Sequence, residues 1–166
     1  MSGANGLDLE ATGRVLLKPN EAPALDINAT AKSIPAALAN AFAPGLGARG
    51  TISGRVTATG TPEAPAVRYD LAWKNAGVTQ TASAGLSSVD VTATGTFQQG
   101  AVTIDLRLSG GGGIALSGGG SVNLQDDKAL NLKFNGQFPF SVLAGQLAAQ
   151  GFILNGTARL DIGIGG

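Results

Sequence analysis

The chain has 166 residues, 26 of them glycine, with no cysteine and no histidine; charged residues make up 13% and the formal net charge is zero. That length suffices for one domain with a sizeable core, and the balanced charge encodes no overall attraction to nucleic acid or to an anionic membrane. The missing cysteine and histidine remove disulfides, thiolate metal sites, the commonest metal ligand and the side chain best suited to general-base work at neutral pH, while selecting neither redox compartment.

The opening MSGANGLDLE has no basic stretch leading into an apolar run, so no secretion signal is expected there. No run of about 18 apolar residues occurs, so no helical bilayer span is expected. The first residues already have the character of the rest, which points to an internal fragment with any targeting signal outside it. Leu7, Leu9 and Ala11 alternate with Asp8 and Glu10, and Val15 and Leu17 follow Gly13. This predicts two short strands joined by a glycine turn. A loop with Pro19 and Pro23 comes next, then a strand over 25–31 with Asp26, Asn28 and Thr30 on its polar side.

Residues 33–43 break the alternation. Ser33 stands where a helix cap would, Pro35 falls in the first turn, and Ile34, Leu38 and Phe42 recur every four residues among alanines. Pro44 and Gly45 end the predicted helix. From Thr51 onward nearly everything alternates. Val67, Tyr69, Leu71 and Trp73 interleave with Arg68, Asp70 and Lys74; Val89 and Val91 with Asp90 and Thr92; Val102, Ile104, Leu106 and Leu108 with Thr103, Asp105 and Arg107; Leu130, Leu132 and Phe134 close the series. Successive strand side chains point to opposite faces, so each segment is apolar on one face and polar on the other. The expected fold is all-β: roughly ten to twelve largely antiparallel strands with one or two short helices. A sheet that large must cover its own apolar face, as a sandwich, a barrel or an open trough.

The stretches 25–60 and 130–165 share one order: an alternating strand, a proline-led apolar segment, glycine, and a second strand. Asn155-Gly156-Thr157 and Ser53-Gly54-Arg55 fall at matching places, which suggests a repeated unit within a single β-rich domain spanning 1–166.

No motif in the chain carries chemistry. Gly45-Leu46-Gly47-Ala48-Arg49-Gly50 fits the dinucleotide pattern, but a predicted helix precedes it and a strand follows, the reverse of the order a pyrophosphate site needs. The glycine clusters of 109–121 lack the lysine and hydroxyl residue of a phosphate loop and predict a hairpin. Asp126-Asp127-Lys128 predicts a turn. No serine or threonine has a base at a recognisable spacing, and no pair of acids is close in sequence in a setting that would raise one pKa. Neither an enzyme nor a cofactor or metal is expected.

The proline-led helix and glycine-bounded strand are followed by Gly60-Thr61-Pro62-Glu63-Ala64-Pro65 and then AVRYDLAWKNAG. This stretch, from Ile34 through Trp73, resembles the TamB family in the wider AsmA-like group, and the likeness in pattern extends over about 7–165. The resemblance implies a periplasmic location, with the whole protein anchored in the Gram-negative inner membrane. It implies an Omp85-type outer-membrane barrel partner and transport of phospholipid toward the outer membrane. It further implies a long sheet curled into an open apolar trough, a β-taco, that holds acyl chains. By face, the residues lining that trough would be Val67, Tyr69, Leu71, Trp73, Val89, Val91, Val102, Ile104, Leu106, Leu108, Leu132 and Phe134. Two alternatives stand beside it: a structural β-solenoid stalk, and a scaffold that pairs outer-membrane strands at a sheet edge. Raw edges also predict self-association.

Overall fold

The computed structural model describes residues 6–17, 19, 22–83, 88–125 and 129–166. Nine strands form one antiparallel sheet in chain order, and the sheet does not close into a barrel. They are β1 (Asp8–Leu16), β2 (Ala24–Pro35), β3 (Arg49–Gly60), β4 (Pro65–Gly77), β5 (Val89–Gln98), β6 (Ala101–Gly110), β7 (Ala115–Asn123), β8 (Leu130–Pro139) and β9 (Thr157–Gly165). Eight spacings of about 4.8 Å make the sheet about 38 Å wide.

A meander brings alternate connections to the same end. At one end lie the short links between β3 and β4, residues 61–64, and between β5 and β6. The β5–β6 turn is two residues, Gln99 and Gly100, with φ of 50° and 74°. Two consecutive left-handed residues make the turn whose twist matches the flanking strands. At the other end every connection has a helical piece: 3-10 turns at Ala36–Ala41, Gly111–Gly113 and Phe140–Leu143, and α-helices α1 (Thr79–Ser83) and α2 (Ala144–Ala149). The helical element expected within 25–60 and 130–165 therefore has a counterpart at β4–β5 in α1, while at β6–β7 the link is a glycine turn with Gly112 left-handed.

Several expectations need correction. There are nine strands among the described residues, not ten to twelve. Residues 8–16 are one strand, because Gly13 pairs with Ile27 within the ladder rather than turning, and the Ile27 side chain lies over it. Residues 33–43 are not a capped helix. β2 runs on to Pro35, a 3-10 turn follows, and no side chain caps it. Leu38 is 46% and Phe42 92% exposed, so the four-residue period has no surface to bury against and no amphipathic helix forms. Gly54 lies inside β3 while Gly156 precedes β9, so the two glycines do not occupy equivalent positions. The glycine-rich 109–121 segment is a hairpin between neighbouring strands, as its composition predicts. Asp126-Asp127-Lys128 lies outside the described residues.

Little of the molecule is buried. Among the described hydrophobic residues only Ala36, Ala48, Ala76 and Ile114 are, and no large side chain is fully buried. These four belong to the helical end. A methyl group on Gly110 would meet Val89 and Ile114, and one on Gly112 would meet Val142, so these connections fold toward the apolar side.

Candidate functional site

The pairing register defines the apolar face row by row. One row runs Ala11, Ala29, Val56, Tyr69, Gly95, Ile104, Gly120, Leu132, Ile164 across all nine strands. The next runs Leu9, Ala31, Gly54, Leu71, Ala93, Leu106, Gly118, Phe134, Ile162. A third joins Ile34, Ile52, Trp73, Val91, Leu108, Leu116, Gly136 and Leu160. Val67 pairs with Phe97, Phe97 with Val102, and Val89 with Gly110. All twelve residues singled out by alternation thus share one face, and none is buried. Ile27, Ile52, Phe97, Leu116, Leu130, Leu160, Ile162 and Ile164 belong to the same face and were not singled out, although their own alternation signals it.

The rows interleave large and small residues. Tyr69 stands opposite Gly95 and its hydroxyl donates to the Thr103 carbonyl at 3.0 Å, so the ring lies across β5 and reaches β6. A methyl group on Gly95 would collide with that ring. Phe134 covers Gly118, and Leu71 covers Gly54, in the same way. The Trp73 indole N–H donates to the Arg49 carbonyl at 2.9 Å. Here glycine's lack of a side chain matters more than its flexibility: it lets a neighbouring ring lie down on the sheet.

The face is nonetheless uncovered. Leu71 is 37% exposed and Ile162 46%. The solvent-accessible surface is 10908 Å², against about 7,500 Å² for a compact monomer of this size. A single layer leaves one whole face without a partner.

The opposite face is polar: Arg55 faces Asp70, Thr57 faces Arg68, and Arg107 faces Ser117. Thr96 and Thr103 hydroxyls meet at 2.8 Å, and Ser117 donates to Asn135 at 2.9 Å. At a bulge in β4 the Asp90 carboxylate accepts from Lys74 Nζ at 2.8 Å and from the Asn75 backbone N–H at 2.9 Å. The Lys74 hydrogen bond, then that of Asn75, holds its pKa below the ordinary carboxylate value. The depressions described open on this polar side. One of about 730 Å³ has Arg107, Ser117, Asn135, Gln137, Arg159 and Asp161 around it. Another of about 570 Å³ is bordered by Thr30, Ser53, Arg55, Thr57, Arg68 and Asp70. Both are shallow gaps between charged and hydroxyl side chains. The apolar face is a broad surface and not one of these hollows.

Comparison of the chain with family models, with curated proteins and with solved structures gives no match.

Proposed function

We propose that the apolar face holds phospholipid acyl chains, and that the chain is a segment of a periplasmic lipid conduit between inner and outer membranes. The observation that carries this reading is the uncovered face itself: nine strands, one layer, and apolar side chains in every row. Apolar patches beyond a few hundred Å² on a monomer usually mark binding surfaces. Acyl chains suit this one because they need no specific polar partner, and each buried methylene contributes about 0.8 kcal/mol. Within the described rows of that face the polar side-chain groups are the Tyr69 hydroxyl and the Trp73 N–H, and both are already occupied by backbone carbonyls. The resemblance to the TamB family supplies the setting: an inner-membrane anchor and an Omp85-type barrel partner in the whole protein. Curling of the sheet into a trough around the lipid belongs to this proposal.

Native mass spectrometry of the purified protein, with lipid extraction alongside, tests it. Near-stoichiometric phospholipid is expected. Leu106→Asp, at the centre of the face between Ala93 and Gly118, is expected to fold and to lose the lipid. A clean apo mass that stays unchanged after incubation with liposomes would refute the reading.

A second reading, a scaffold that adds client strands at a sheet edge, draws on the unpaired edges of β1 and β9. It predicts that edge substitutions abolish client binding while Leu106→Asp does not.

A further inference from the structure

The two ends of the sheet differ in charge. In the four connections at the helical end, the described residues 36–48, 78–83, 88, 111–114 and 140–156 include no charged residue. In the sequence, by contrast, the segments 17–23, 61–64 and 124–129 between the other strands carry Lys18, Glu21, Glu63, Asp126, Asp127 and Lys128. With 13% charged residues in the chain, so long an uncharged set gathered at one end is a property of that end.

The same end displays large apolar side chains. Phe42 is 92% exposed and Leu38 46% on the β2–β3 connection; Phe152 is 58%, Ile153 87% and Leu154 46% exposed on the β8–β9 connection. Both tips have hydrogen-bonded bases. Asn40 bridges Ala48 in both directions, donating Nδ2 to its carbonyl at 3.2 Å and accepting its N–H at 2.7 Å, and Thr79 N–H donates to Leu46 at 2.9 Å. Phe152 N–H donates to Leu147 at 2.8 Å, and Phe140 N–H to Gly156 at 3.0 Å. The chain holds these loops at their bases and points aromatic and aliphatic groups into water, which costs free energy unless something receives them.

We infer that the helical end docks on a phospholipid bilayer, with the 42 and 152–154 tips inserted at the headgroup–acyl boundary. Aromatic and aliphatic groups on uncharged loops match that zone. No lysine or arginine lies in the described residues of the loops themselves, Arg49 at the start of β3 being the nearest after them in sequence, so insertion of the tips calls for no anionic lipid. The inference extends the acyl-chain reading, because docking by this end would bring the apolar face up to the bilayer. It can fail separately: a protein that carries lipid need not bind vesicles through these loops, and one that docks need not carry lipid.

Flotation with extruded phosphatidylcholine vesicles tests it. The protein is expected to float with them equally in low salt and in molar salt, with no gain from anionic lipid. Phe42→Ser alone and Phe152→Ser with Ile153→Ser are each expected to lower vesicle affinity on the order of tenfold or more, with all three together abolishing it. Melting temperatures should hold, since these side chains are exposed. Leu16→Ser with Leu17→Ser, at the charged end and also exposed, should leave flotation unchanged. Failure of the unmodified protein to float would overturn the inference. So would binding that requires anionic lipid, equal losses from the Leu16/Leu17 pair, or tip variants that dissociate a dimer without changing flotation. Lipid content by extraction, measured on the same variants, reports separately on the acyl-chain reading.

Discussion

Tyr69 and Gly95 show how single residues shape the apolar face. In a covered sheet a tyrosine would project into a second layer; here it lies over the neighbouring strand and donates to the Thr103 carbonyl. Gly95→Ala is therefore expected to destabilise the fold by about 1–3 kcal/mol, as overpacking does, measured by chemical denaturation. In a Tyr69→Ala background the same change should lose only the ring's share of the cost, because the Thr103 carbonyl oxygen, a backbone atom, lies nearer to the added methyl than the ring does. Equal costs in both backgrounds would mean that the ring does not occupy the glycine's space. The alternation of Val67, Tyr69, Leu71 and Trp73 was enough to assign these residues to one face. The pairing of Tyr69 with Gly95, or Phe134 with Gly118, was not legible, because it depends on register between strands, and alternation within a strand carries no register.

At the scale of elements, strands were legible where polar and apolar residues alternate strictly, as in β4 and β6. The helix expected over 33–43 was not, since its four-residue spacing means burial only if something packs on it, and Leu38 and Phe42 face water. The strand edges carry a further expectation. β9 is an unpaired edge without proline, and β1 has a bulge at Asp8/Leu9. Antiparallel pairing of β9 with a second copy, centred on Leu160, keeps both apolar faces on one side. It also sets Arg159 opposite Asp161 of the partner subunit. Self-association through β9 should then weaken with Arg159→Asp, on the order of several-fold to tenfold, and recover when Asp161→Arg is added. Sedimentation velocity checks this. A dimer indifferent to both changes would exclude that edge and register.

The whole molecule is a sheet that has not found its second layer. Its surface exceeds that of a compact chain of equal size by about 3,400 Å². Each 100 Å² of apolar surface that a ligand covers contributes about 2.5 kcal/mol. The sequence implied this much through its many amphipathic strands and few helices, and the options of sandwich, barrel and open trough were visible from it; the single open sheet is neither of the closed ones. Which of them holds was not visible, because alternation is the same whether the apolar face meets another layer or water. On the proposed reading, the ligand of that face is long, flexible and apolar.

The chain contains a single tryptophan, Trp73, and it lies on that face, paired with Ile52 and Val91. Its fluorescence gives the most direct test of the central claim. A phospholipid brominated on its acyl chains, supplied as monomer so that no bilayer is present, should quench Trp73 saturably, with the quenching reduced in Leu106→Asp. Absence of quenching at concentrations where the protein takes up lipid, or quenching unchanged by Leu106→Asp, would contradict the assignment of acyl chains to the apolar face.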